Sequence, residues 1–152
     1  VSGPSLRLTR LLRAPPARVF AAWTDPALLA QWFGPHQTHV EAAEVGLHVG
    51  GGFRVVIVED ADVRAGQGSR HAACGTFREI TPPSRLVLDW WWEAAPERVS
   101  RVTVTLRAVP DGTELTLQHD RFADEATASR HVRGWTESLD RLVALAHEGA
   151  MP

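Results

Sequence analysis

Tyrosine is absent from this 152-residue chain, and cysteine and methionine occur once each. The lone thiol, Cys74, excludes an intramolecular disulfide and fits a reducing compartment. No window approaches the roughly 18 apolar residues that a membrane-spanning helix needs, so stable membrane insertion is not expected. The first residues also lack the charged and apolar regions of a signal peptide, and the expected location is the cytoplasm. Neither sign of charge dominates: 16 basic residues against 18 acidic ones leave a net charge of -2. The basic residues are scattered rather than clustered, so nucleic acid is not an expected partner.

What the chain has instead is tryptophan, six residues of it, three of them consecutive in "LVLDWWWEAAPE" at positions 86–97. With 44% hydrophobic and 22% charged residues, the composition is that of a soluble globular protein. A chain of this length buries one good core, so a single domain over 1–152 is expected, with its ordered part at about 5–148.

Alternating leucines from Ser5 to Arg13 predict a strand. Pro15 and Pro16 then suit the first turn of a short helix that ends near Thr24. Asp25 followed by Pro26 is an N-cap signal for a second short helix, "PALLAQWF", stopped by Gly34 and Pro35. Six strands are expected at 38–45, 52–59, 70–80, 85–93, 99–109 and 112–120, forming an antiparallel meander. "VPDGTEL" is a hairpin signal, while the polar stretch from Glu59 to Ala72 predicts a mobile hairpin loop. Asp124 caps the last helix, whose apolar stripe is Val132, Trp135, Leu139, Leu142, Val143 and Ala146, with Gly149 as its stop.

Period 2 sorts the strands into faces. Leu86, Leu88, Trp90 and Trp92 share one face with an apolar side, whereas Asp89, Trp91 and Glu93 share the other. Val102, Val104 and Leu106, like Leu115 and Leu117, repeat the pattern, which leaves one sheet face apolar and one wet. A single helix is far narrower than seven strands, so the sheet must curl around it. Curling leaves room for a cavity.

The chain resembles the START-like (SRPBCC) superfamily, and within it the branch similar to the activator of Hsp90 ATPase. The resemblance begins at Arg10, Ala14, Pro15, Val19 and Phe20. It is strongest in "AAWTDPALLAQWFGP", with Trp23, Asp25, Pro26, Trp32 and Pro35, and continues in Gly51-Gly52-Phe53, "GTFREITPPSRLVLDW", "GTELTLQH", Phe122 and "HVRGWTESLDRL". It implies an α+β helix-grip fold, a curved antiparallel sheet wrapped around a long C-terminal helix and a deep, largely apolar cavity. It also implies family activities that range from binding lipids, polyketides or other hydrophobic molecules to cyclase chemistry and, in the eukaryotic namesake, chaperone binding. The chain departs from a common pattern before the paired glycines, where an acidic residue and an arginine give way to Gly46, His48 and Gly50 in "VGLHVGGGF". That run leads into a strand and lacks a lysine, so it reads as a bend rather than a phosphate loop.

Candidate ligand-binding residues follow from the inward faces and the resemblance together. Trp23, Phe53, Phe77, Trp90, Trp92 and Trp135 offer flat apolar walls, each of which either fills the core or lines the cavity. Trp32, Val55, Val104, Phe122 and Leu139 join them on the same inward surface. His119 alternates inward with Leu115 and Leu117, and His131 lies one helical turn before Trp135; either orients a ligand or is simply structural, and His119 is the candidate general base. His36 and His39 make a weak HxxH pair without a third ligand, so no metal or other cofactor is expected. Cys74 has no partnered base in view and reads as a plain strand cysteine. The favoured expectation is non-catalytic binding of a small hydrophobic molecule. The alternatives are a cyclase or dehydratase that uses His119, and a protein-interaction module, such as an Hsp90 co-chaperone-like activator, or a homodimer that uses the outer sheet face near Trp91.

Overall fold

Alternation along the first strand, β1 (Leu6–Leu12), buries Leu6 and Leu12 and leaves Leu11 half exposed on the other face. The computed structural model describes residues 3–60 and 69–147; most of the expected mobile loop and the expected stop at Gly149 lie outside the described residues. Two short helices follow, α1 (Pro16–Thr24) and α2 (Pro26–Trp32). Proline opens each, and the Asp25 carboxylate accepts the Ala27 N–H at 2.9 Å to cap α2. The Trp32 indole donates to the Ala22 carbonyl at 2.9 Å, which pins α2 onto α1.

The meander then runs β2 (Thr38–Val45), β3 (Gly52–Glu59), β4 (Arg70–Thr81), β5 (Arg85–Trp92), β6 (Ser100–Val109) and β7 (Gly112–Asp120), and α3 (Glu125–His147) closes the described chain. One seven-stranded antiparallel sheet results, in the order β1-β7-β6-β5-β4-β3-β2. It is curled into a half-barrel, with β1 lying against α3 and β2 against α2. Bulges between Val40 and Ala42 and between Phe77 and Glu79 break the register and add local twist. Gly75 sits between Phe53 and Trp90 in the ladder, where a Cβ would press on the Asp89 carbonyl at 2.6 Å. The missing side chain leaves the two flanking rings free to meet above it at 5.9 Å. The "VGLHVGGGF" segment makes the expected sharp bend, with Gly50 at φ +87° and hydrogen-bonded to the Phe77 carbonyl.

The concave face and the helices share one hydrophobic core that runs from Leu6 to Ala146. On α3 the buried stripe is Ala128, Trp135, Ser138, Leu139, Leu142 and Ala146. Val132, expected in that stripe, lies on its flank and is 38% exposed, and a buried serine takes part in its place. The convex face is less wet than alternation predicts. Val56 and Val58 are buried there, and Asp89 is held by Arg78 and Arg101, with Arg78 Nε at 2.7 Å and Arg101 Nη2 at 2.9 Å. Burial alone would push the Asp89 carboxyl up, but the hydrogen bonds from Arg101 and Arg78 outweigh it and hold it below its ordinary value.

Candidate ligand cavity

At one end of the concave face the helices do not fill the sheet, and a cavity of about 520 Å³ remains. Its apolar walls are Ile57 from β3, Trp90 and Trp92 from β5, Trp135 from α3 and Phe33 just beyond α2. The rings brace one another: Phe33 stands edge-on to Trp135 at 5.8 Å, and Trp90 lies 5.4 Å from Trp135. The mouth is polar, bearing Glu59, His71, Arg130 and His131. Gly134, in the middle of α3, also lines the cavity, and a Cβ added there would meet nothing within 4 Å. A helix-interior glycine costs up to about 1 kcal/mol relative to alanine, and here its effect is to leave space open.

Two histidines are fixed by two tryptophans. The Trp135 indole donates to His119 Nδ1 at 3.0 Å, and His119 Nε2 lies 2.7 Å from Ser100 Oγ, which in turn donates to the Trp90 carbonyl at 3.2 Å. An indole only donates, so Nδ1 is the acceptor and the proton is on Nε2. The Trp92 indole likewise donates to His131 Nε2 at 2.9 Å, while Nδ1–H donates to the Thr127 carbonyl at 2.8 Å. Both imidazoles are neutral with both nitrogens engaged. Burial holds the His119 pKa well below its ordinary value, with the nearby His131 adding to the effect, and burial lowers that of His131 as well. The two rings stand edge to face at 5.2 Å.

The rim is tied to α3 by backbone contacts. Ser138 Oγ accepts the Gly34 N–H at 3.1 Å and donates to the Gly134 carbonyl at 2.9 Å. One nitrogen of Arg141 donates to the carbonyls of Gly34, Pro35 and Thr38 at 3.1, 3.3 and 3.3 Å. The segment from α2 to β2 is thereby held against the helix as one wall. Next to the cavity lies a second, polar depression of about 460 Å³, which shares Pro35, Glu59, Arg130 and Gly134 with it.

Over residues 13–147 the sequence matches the family described as Activator of Hsp90 ATPase homolog 1-like protein. The chain belongs to that family. Solved structures agree on its START-like fold. A protein from Chromobacterium violaceum is 29% identical, with 94% of this chain and 97% of that one covered and a TM-score of 0.82. The AHSA1 protein of Silicibacter pomeroyi is 32% identical, with 95% and 99% covered and a TM-score of 0.78. An HSP90 activator from Plasmodium falciparum is 29% identical over 79% of this chain and 74% of its own, with a TM-score of 0.58. Among curated proteins none matches significantly. No helix among the described residues is long and apolar enough to cross a membrane.

Against this family fold the sequence candidates divide in two. Trp90, Trp92, His131 and Trp135 line the cavity. Trp23, Trp32, Phe53, Val55, Phe77, Val104, Phe122 and Leu139 are instead packed inside the core formed between the helices and the concave face. His119 is fully buried behind Trp135, without a free lone pair for a substrate proton. The wall residues not singled out from the sequence are Phe33, Gly34, Pro35, Ile57, Glu59, His71, Arg130, Gly134 and Ser138. Period 2 holds a signal for three of them, since Ile57 and Glu59 continue Phe53 and Val55, and His71 precedes Ala73 on the same face. Trp91 faces outward opposite Cys74, and its ring is half buried within the chain itself. The Cys74 thiol is pushed up by burial and by the Glu93 carboxylate, so it stays protonated at neutral pH.

Proposed function

We propose that this family member binds a small hydrophobic molecule in the cavity between the β3–β5 surface, α3 and the segment after α2. The observation that carries the reading is the cavity itself: about 520 Å³, within the size range of small-molecule sites, walled by aromatic rings and entered through a polar mouth. Gly134 supports it, because the chain keeps a glycine in the middle of a helix where nothing prevents a side chain. Affinity would come from burial of apolar ligand surface at about 25 cal/mol per Å², before the entropic costs of association.

Native mass spectrometry of the freshly purified protein tests this directly. A bound hydrophobic mass that organic extraction removes is the expected result; an empty chain that also fails to take up added apolar compounds would overturn it.

A second reading, stimulation of a chaperone ATPase, is favoured by one observation: the likeness to the Plasmodium activator. ATPase assays with a purified Hsp90 separate the two readings. Stimulation that survives blockage of the cavity would support the chaperone role, and no stimulation would remove it. A proton-transfer enzyme that uses His119 is disfavoured, since both ring nitrogens are already committed to Trp135 and Ser100.

A further inference from the structure

The charges around the mouth do not balance pair by pair. Glu59 is within 3.2 Å of His71, Asp60 is within 3.0 Å of His39, and Glu137 meets Arg133 at 3.5 Å and the His36 backbone N–H at 3.1 Å. Asp124 is committed to capping α3 through the Thr127 N–H at 2.7 Å. Arg130 lines both the cavity and the adjoining depression, yet among the described residues it has no carboxylate at ion-pair distance. Its one side-chain hydrogen bond goes to the neutral Thr127 hydroxyl at 3.2 Å. A guanidinium offers five donors in a planar fork, so most of its donor capacity is left without a protein side-chain partner among the described residues.

Resting on the reading that the cavity takes a small hydrophobic molecule, we propose that this molecule is an amphipathic weak acid: its apolar body lies against Trp90, Trp92 and Trp135, and its carboxylate is bound by Arg130. Arg130 is exposed and lines both the cavity and the depression beside it, so its side chain stands where an apolar chamber meets water. A carboxylate suits one free guanidinium in bidentate geometry. A dianionic phosphate suits it less, because Glu59, Asp60 and Glu137 crowd the same opening with negative charge. A cationic head would meet Arg130 at the same opening and would have to compete with His71, His39 and Arg133 for those three carboxylates.

The test uses three probes with the same ten-carbon tail, kept below micelle formation: decanoate, 1-decanol and decyltrimethylammonium. Binding is followed by calorimetry to the full chain and to Arg130→Gln, an exposed position where folding is verified by thermal unfolding. The expected result is that decanoate binds about tenfold more tightly than decanol, and that Arg130→Gln removes this margin by weakening decanoate far more than decanol. Added salt narrows the same margin. Equal binding of acid and alcohol, tightest binding of the ammonium probe, or an Arg130→Gln margin that persists overturns the assignment of a carboxylate, while the cavity reading stands. Failure of all three probes to bind overturns both.

Discussion

Two indole N–H groups that end on imidazole lone pairs set the chemistry of the interior. Trp135 fixes His119 and Trp92 fixes His131, each as one neutral tautomer, so neither ring can accept a proton without losing a tryptophan. Burial keeps both pKa values below the ordinary histidine value, and the linkage sign follows. As pH falls through about 6.5, the unfolded chain takes up protons that the folded chain refuses, and stability drops until the folded pKa values are reached. Urea unfolding between pH about 8 and pH about 5, above the carboxylate range, is therefore expected to show falling stability, and His119→Gln a shallower fall. An unchanged slope in that variant contradicts the account. Ser100→Ala leaves the His119 Nε2–H buried without an acceptor and is expected to cost about 1–3 kcal/mol in denaturant unfolding. At this scale the sequence was least legible. His119 was readable as inward from its alternation with Leu115 and Leu117, but its partners Ser100 and Trp135 come from other elements, and no spacing along the chain announces them.

Elements were far more legible than contacts. Strand limits follow alternation to within a residue in all seven strands, and Asp25 and Asp124 cap the helices as their chemistry predicts. Phe33 is not legible because it ends a helix: the stop signal of Gly34 and Pro35 says where α2 ceases and nothing about the wall that forms when Arg141 and Ser138 hold Gly34 against α3. Gly134 is the element-scale handle on function. Gly134→Ala should stabilise the protein by about 0.5–1 kcal/mol, because alanine favours the helix and the site is open. Thermal unfolding checks this, and destabilisation would mean that the space beside α3 is not there.

For the whole molecule, the curled sheet was deducible from width alone, since one helix cannot cover seven strands. Where the uncovered part lies was not. Trp23 and Trp32 on the short helices and Phe53 and Phe77 on β3 and β4 are as aromatic as Trp90 and Trp92, yet the first four are packed in the core and only the last two line the open wall. Family membership fixes the fold. Whether the space beside Trp90, Trp92 and Trp135 binds a molecule is decided by one titration. Calorimetric titration of an apolar probe such as 1-decanol is compared between the natural chain and Gly134→Leu, whose side chain projects into that space. The account predicts saturable binding at one site in the natural chain and its loss in a Gly134→Leu protein that remains folded. Equal binding by both proteins, or by neither, would contradict it.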